Sequence, residues 1–420
     1  MLVSLPYWVY RIVRHGKYWG ALKERFGHVP DRLHAINGPV VWVHAVSVGE
    51  VLAVAGLVEE LKRTMPTHRV MVSTTTETGQ ELARKKFGEE NVLYFPLDFG
   101  FAIRPYLRAL KPEMVVLAET EFWPNFLHEV QANGARIAVV NARISDRSWP
   151  NYKRFRWALR RMLAHVDLFL AQTDEDAARL KSIGVEADRV RVSGNLKFDV
   201  KLPVEPAIVG SLRKALAAGN AGPVLVCGST VEGEEELLLK AFADVRAKNP
   251  LAVMILAPRH PQRFDEAAEL LRRLQVDFHR RSQWAGEGLA SGVLLVDSIG
   301  ELAALYALAD VAFVGGSLVA RGGHNIIEPA LHGVAIVVGP HTENFRDIVG
   351  LFRKREAVRV ASAEDLASLL PALLANDSER RALGRRAQQT IEMQVGATAR
   401  TLSALQALVG DKQPVAAHTE

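Results

Sequence analysis

Several short stretches carry the side chains able to do chemistry. HAVSVGEV, residues 44–51, puts Glu50 in what reads as the first helical turn after an apolar strand. The positive end of a helix favours a carboxylate in its ionised form, which suits a group that must take up a proton. His44, inside the strand-like run, reads equally well as a core histidine. AETEFWPN, 118–125, sets Glu119 and Glu121 two apart at a strand end, with Phe122 and Trp123 as an apolar wall. Their spacing alone does not make them a proton-sharing pair. SGNLKFD, 193–199, combines Gly194, Asn195 and Lys197. An ammonium aimed into a cleft would stabilise negative charge on a leaving phosphate or a substrate carboxylate; on composition alone a solvated linker lysine fits equally well.

The second half carries a different set. LAPRHPQR places Pro258, Arg259 and His260 directly after an apolar run, and the guanidinium fork suits phosphate or carboxylate. In DSIGEL, 297–302, the backbone of Ile299 and Gly300 is placed to read a base edge, with Glu301 at a helix start. The most informative stretch is GGSLVARGGHNIIEPALHG, Gly315 to Gly333. Gly315, Gly316 and Ser317 read as a strand-end loop that admits a phosphate to its backbone. Asn325 and Glu328 stand three apart on the following turn, around Ile326 and Ile327, and Glu328 is suited to accept hydrogen bonds from ribose hydroxyls. His324 either assists or packs.

These residues need a scaffold that gathers them. The chain has 420 residues, about right for two α/β domains of roughly 200 each, and 49% of it is apolar against 24% charged. Strand-like runs at 40–46, 69–75, 114–120 and 136–143 alternate with amphipathic helical segments, the rhythm of a parallel sheet. After a proline-bearing linker near 193–206 the rhythm restarts, with runs at 222–229, 251–259, 291–298, 310–317 and 334–340. The expected fold class is therefore α/β with two similar halves, whose working loops lie at the carboxyl ends of the strands. Expected boundaries are a basic and aromatic, membrane-contacting segment at 1–35, one domain at 36–200, a second at 201–410, and a tail at 411–420.

The formal charge is only +5, but it is unevenly placed. Residues 1–32 mix Arg11, Arg14, Lys17, Lys23, Arg25 and Arg32 with Tyr7, Trp8, Tyr10, Tyr18, Trp19 and Phe26. A second cluster comprises Arg143, Arg147, Lys153, Arg154, Arg156, Arg160 and Arg161 against Asp146 alone. Such mixtures suit an anionic interface. No segment has the uninterrupted apolar length of a spanning helix, and MLVSLPYWVY lacks the build of a signal peptide, so a peripheral cytoplasmic protein touching a membrane is expected. Single Cys227, in an apolar run, excludes an internal disulfide framework. The chain lacks the spacings of a P-loop, a GxGxxG dinucleotide turn, a GxSxG elbow and an HExxH zinc helix, and its thirteen histidines are scattered. No finger or RNA-binding aromatic motif accompanies the basic clusters, so no nucleic-acid partner is expected.

Taken in order, HAVSVGEV, AETEFWPN, NARISDRS, SGNLKFD, LAPRHP and GGSLVARGGHNIIEP resemble the 3-deoxy-D-manno-octulosonic acid (Kdo) transferases of lipopolysaccharide assembly, over about residues 7–410. The resemblance implies a GT-B architecture, two Rossmann-like domains facing across a cleft. It also implies inverting transfer of Kdo from CMP-Kdo to a lipid A precursor at the cytoplasmic face of the inner membrane, without a metal or other cofactor. Glu50 takes the role of general base, and Glu119 and Lys197 those of transition-state stabilisers. CMP contacts fall on Pro258 and Arg259, on Ile299 to Glu301, and on Asn325 to Glu328; Gly315 to Ser317 stay phosphate candidates on their own chemistry. A UDP-sugar transferase or epimerase of the same architecture is the alternative, and a membrane or nucleic-acid adaptor the non-enzymatic one.

Overall fold

A computed structural model describes residues 22–146, 148–199 and 205–410. The aromatic and basic positions before residue 22, Arg147 and the tail at 411–420 lie outside the described residues. Two compact units emerge, one formed by Met1–Val200 with Gln394–Glu420, the other by Lys201–Met393.

In the first unit, strands β1 (Val40–His44), β2 (Arg69–Thr74), β3 (Val92–Tyr94), β4 (Pro112–Ala118), β5 (Arg136–Ala142), β6 (Leu168–Ala171) and β7 (Val190–Val192) form one sheet. Their order is β3-β2-β1-β4-β5-β6-β7 and every pairing is parallel. Parallel strands are covered on both faces, which is why VVWVH reads as a continuous apolar run and all five of its residues are buried. The helix Val48–Thr64 that follows buries Val51, Val54, Val58 and Leu61, a spacing that keeps one stripe on the sheet. The chain leaves β1 in one direction and β4 in the other, so the order of strands reverses between them. A crevice at the carboxyl ends of two such strands is where doubly wound sheets bind ligands.

The second unit repeats the plan. Strands β8 (Val224–Thr230), β9 (Val253–Pro258), β10 (Phe278–Arg280), β11 (Gly292–Leu295), β12 (Val311–Val314), β13 (Ala335–Val338) and β14 (Arg359–Val360) run β10-β11-β9-β8-β12-β13-β14, again all parallel. Here the reversal lies between β8 and β12. Cys227 is fully buried in β8, and burial pushes its thiol far up, so it is an inert core residue.

One expected boundary is corrected. The last helix, Ala397–Gly410, belongs to the first unit, not to a domain running through to residue 410. Leu402 and Leu405 join the apolar cluster of Val41, Val43 and Val116, so this helix covers one face of the first sheet. Its apolar spacing identifies it as a helix but says nothing about which of two similar sheets it covers.

Candidate active site

The first unit gathers its chemistry at the β1/β4 reversal. Glu50 is 8% exposed in the first turn of helix Val48–Thr64. Its Oε2 accepts from the Val46 N–H at 2.8 Å and its Oε1 from the Ser47 hydroxyl at 3.1 Å. Burial is the main reason its carboxyl is raised to about 7; the Val46 hydrogen bond opposes this, and the charges of Glu119 and Glu121 add to it. Such a group gives up and takes back a proton near neutrality, the property a general base needs.

Beyond β4, Glu119 adopts a left-handed backbone with φ +57°, rare for a residue with a side chain. Its N–H still bonds the Val140 carbonyl at 2.8 Å, so the turn comes directly off the sheet. Its Oε1 meets Lys197 Nζ at 3.2 Å, and both side chains remain 28% exposed. Lys197 arrives from the far side of the sheet, on the turn Leu196–Phe198 after β7. Glu121 lies close enough that its carboxyl is raised, first by burial and then by Glu119. The structure thus brings together Glu50, Glu119 and Lys197, residues as many as 147 positions apart in the chain.

His44 does not join them as a titrating group. It is fully buried, stacks on Phe95 with ring centroids 3.8 Å apart, and places Nδ1 3.0 Å from Ser73 Oγ. Burial drives its pKa down to about 3, so it is a neutral core histidine. The fully buried Trp42, whose Nε1 donates to Ser73 Oγ at 2.8 Å, packs beside it.

In the second unit the expected nucleotide residues all sit at carboxyl ends of strands. Pro258 ends β9 and is buried, while Arg259 is exposed just after it, its N–H bonded to the Thr230 carbonyl at 2.9 Å. Glu328, at the start of the short helix Ile327–Leu331, has its carboxyl raised mainly by burial, with Asn325 and the Arg259 charge opposing. Asn325 bridges this turn, its Nδ2 3.4 Å from Glu328 Oε1 and its Oδ1 accepting from Ile327 N at 3.1 Å. Arg259 also acts on His324, whose pKa falls to about 4, chiefly through burial. Arg259, His324, Asn325 and Glu328 therefore share one neighbourhood. Ile326 and Ile327 turn their side chains into the core, 0% and 1% exposed, leaving only their backbone for a ligand. After β11, Ile299 is 66% exposed and Gly300 takes φ +93°. Glu301 is already committed: it accepts from Arg281 Nη2 at 2.8 Å and from the Ser298 hydroxyl.

The glycine loop differs from its expected use as a phosphate cradle. Glu234, the fully buried first residue of helix Glu234–Lys248, occupies its donors. Glu234 Oε2 accepts from Gly316 N at 2.7 Å and Val231 N at 3.1 Å, and Oε1 from Ser317 N at 2.9 Å and Leu318 N at 2.8 Å. Ser317 Oγ donates inward to the Val314 carbonyl at 2.6 Å and accepts from Gly339 N at 2.8 Å. Gly316 to Leu318 thus satisfy a protein carboxylate, while the Gly315 N–H bonds the Gly228 carbonyl at 2.8 Å. The glycines are needed for close approach, since a Cβ on Gly315 would lie 2.5 Å from the Ser229 carbonyl oxygen. Glycine content pointed to an anion here; that the anion comes from a glutamate 82 residues earlier has no local signal.

Among the described residues there is no cluster of three or more His, Cys, Asp or Glu able to hold a metal, and no helix long and apolar enough to cross a membrane.

Comparison with known proteins adds a family. The model of a family described as 3-deoxy-D-manno-octulosonic-acid transferase (kdotransferase) matches residues 20–200. Over 417 residues the chain is 39% identical to the 3-deoxy-D-manno-octulosonic acid transferase of Bordetella pertussis, covering 96% of each. It is 33% identical over 398 residues to the transferase of the same name from Haemophilus influenzae, covering 94% of this chain and 92% of the other. Among solved structures, UDP-GlcNAc 2-epimerase from Neisseria meningitidis bound to UDP-GlcNAc superposes with a TM-score of 0.57 at 15% identity, over 88% of this chain and 100% of the epimerase. At that identity the likeness establishes the fold alone, which is GT-B: two Rossmann-like units in one chain.

Proposed function

Because the chain belongs to the 3-deoxy-D-manno-octulosonic acid (Kdo) transferase family, we propose that it moves Kdo from CMP-Kdo to a lipid A precursor of the lipid IVA type, with inversion at the anomeric carbon. Glu50 is the general base. It takes the proton of the acceptor hydroxyl as that oxygen bonds to the anomeric carbon, while the bond from this carbon to the phosphate oxygen breaks and CMP leaves with the electron pair. The single observation that carries this reading is a carboxylate raised to about 7 beside a Glu119–Lys197 ion pair at the reversal point of a doubly wound sheet.

Lys197 supplies the positive charge for the donor's carboxylate or departing phosphate, and Glu119 holds that ammonium in place. CMP leaves as a stable anion, so the reaction requires neither a second carboxylic acid nor a divalent cation. The second unit holds the nucleotide: Arg259 beside Pro258 takes the phosphate, the backbone at Ile299 to Glu301 reads the base, and Asn325 to Glu328 receive the ribose.

The place of action is the anionic cytoplasmic face of the inner membrane. In support, helix Arg156–Leu163 presents Trp157, 70% exposed, next to Phe155, 52% exposed, among exposed Arg154, Arg156, Arg160 and Arg161. Aromatic rings at headgroup depth and basic heads on lipid phosphates are a recurrent surface-binding pair.

The test is transfer itself. Purified protein, freshly generated CMP-Kdo and a tetraacylated, phosphorylated lipid A precursor in detergent should give CMP release matched by a lipid mass gain of one or more Kdo units. CMP release without lipid gain would reject the acceptor. Neither signal, with donor and fold intact, would reject the reaction.

A further inference from the structure

The lysine at the centre of this chemistry is held by three amide residues, of which Asn141 opens NARISDRS, Asn195 lies in SGNLKFD and Gln172 belongs to neither stretch. One amide residue stands at the carboxyl end of each of β5, β6 and β7, and the three are linked by hydrogen bonds, through the main-chain carbonyl in the case of Asn141. Asn141, fully buried with φ +54°, accepts at Oδ1 from the Leu196 N–H at 3.0 Å. Gln172 Nε2 donates to the Asn141 carbonyl at 3.0 Å, and Gln172 Oε1 accepts from Asn195 Nδ2 at 2.9 Å. Asn195 Oδ1 in turn accepts from the Lys197 N–H at 2.9 Å. Both ends of the chain thus grip successive N–H groups of the turn that carries Lys197.

The polarity of this chain is fixed. Gln172 uses one donor and its acceptor, so flipping its amide would set oxygen against the Asn141 carbonyl and NH₂ against NH₂ of Asn195. Gln172 and Asn195 are 7% and 8% exposed, so water cannot readily replace either link. The far side of the segment is tied as well: Arg400 Nε donates to the Ser193 carbonyl at 2.8 Å, and Asp199 accepts from Gly396 N at 2.7 Å and from Thr398 N. Lys197 therefore sits in the middle of a stretch fastened to three strand ends and to the last helix.

We infer that Asn141, Gln172 and Asn195 act as one positioning unit that sets where the Lys197 ammonium stands relative to Glu119. This rests on the reading of Lys197 as the charge-stabilising group. A packing role alone would be filled as well by apolar side chains, whereas a directional chain of amides holds the backbone turn within the roughly half-ångström range that hydrogen-bond distances allow.

The experiment uses the full chain with Gln172→Met, Lys197→Met and the double variant, reading kcat, KM for CMP-Kdo, and Tm, with single-turnover rates at excess protein for the slow forms. Gln172→Met is expected to lower kcat by about tenfold or more, since small misplacements of a reacting group carry costs up to roughly 10². The donor KM should stay within about threefold, and in the Lys197→Met background the same substitution should cost less than about threefold in rate. Its Tm loss should persist in both backgrounds. A kcat loss under about tenfold, or an undiminished rate loss without Lys197, overturns the inference. Should Gln172→Met fail to fold, Asn195→Ala, which removes the links to Gln172 and to the Lys197 N–H without adding bulk, is judged by the same criteria. If Lys197→Met itself turns over near the parent rate, the reading of Lys197 fails instead.

Discussion

Glu50 and Glu234 occupy corresponding places in two similar sheets: each lies in the first turn of the helix that follows its unit's first strand. Their surroundings send them to opposite ends. Glu50 accepts one backbone N–H and one hydroxyl, and burial lifts its carboxyl to about 7. Glu234 accepts four backbone N–H groups, three of them from the loop after β12. One carboxylate has acceptor capacity to spare and a proton to exchange; the other is saturated and works as a pin. A duplicated architecture thus offers the same position twice, and the count of donors around it decides between chemistry and scaffolding.

The largest effect that could break this contrast is on rate. Glu50→Gln should lower kcat by roughly 10² to 10⁴. Turnover near the parent rate would remove Glu50 as base. Stability should respond in the opposite sense at the two sites. Glu234→Gln turns NH₂ toward N–H groups, and each one left unsatisfied costs about 1–3 kcal/mol, so chemical denaturation should reveal a marked loss. Glu50→Gln, by contrast, should stabilise the fold. A carboxyl raised from its ordinary 4.5 to about 7 is an ionisation penalty absent below pH 4.5, growing as pH rises toward 7 and constant above it, up to about 3 kcal/mol. Denaturation of parent and Glu50→Gln at pH 4 and pH 8 measures it: the two should coincide at pH 4 and part at pH 8.

Much of this contrast lay beyond the reach of sequence reading, for physical reasons. The apolar runs that form β1, β2, β4, β5, β8, β9, β11, β12 and β13 are legible because both-face burial demands continuous hydrophobicity. Strands as short as β3, β10 and β14, of two or three residues, hold too little pattern to stand out. Strand-end position and charge mark Glu50 and Glu119, Lys197 fits a solvated linker equally well on composition alone, and the roles of all three rest on the family resemblance; the structure places the three near one another. Gly315 to Ser317 offer no free cradle because the N–H groups of Gly316 and Ser317 are claimed through space by Glu234 and that of Gly315 by the Gly228 carbonyl; NARISDRS gives Asn141 no role and nothing marks Gln172, because amides acquire meaning only from the partners folding gives them. The return of the last helix to the first sheet is likewise a long-range event.

Smaller effects sharpen the picture around Glu50. Glu121→Gln removes one of the negative charges that raise Glu50, so the inflection of kcat against pH should move to lower pH, while an unmoved inflection would detach Glu121 from the site. Trp157→Ser should weaken cosedimentation with anionic phosphatidylglycerol vesicles by a few-fold and leave turnover in detergent unchanged. Equal binding would shift the membrane contact to another face.

The pH dependence of kcat in the parent protein tests the central claim most directly. An essential base with its pKa near 7 requires kcat to fall about tenfold per pH unit below neutrality and to level off above it. A profile flat from about pH 5.5 to 8.5, with donor lifetime controlled and chemistry rate-limiting, would contradict a Glu50 base poised by burial.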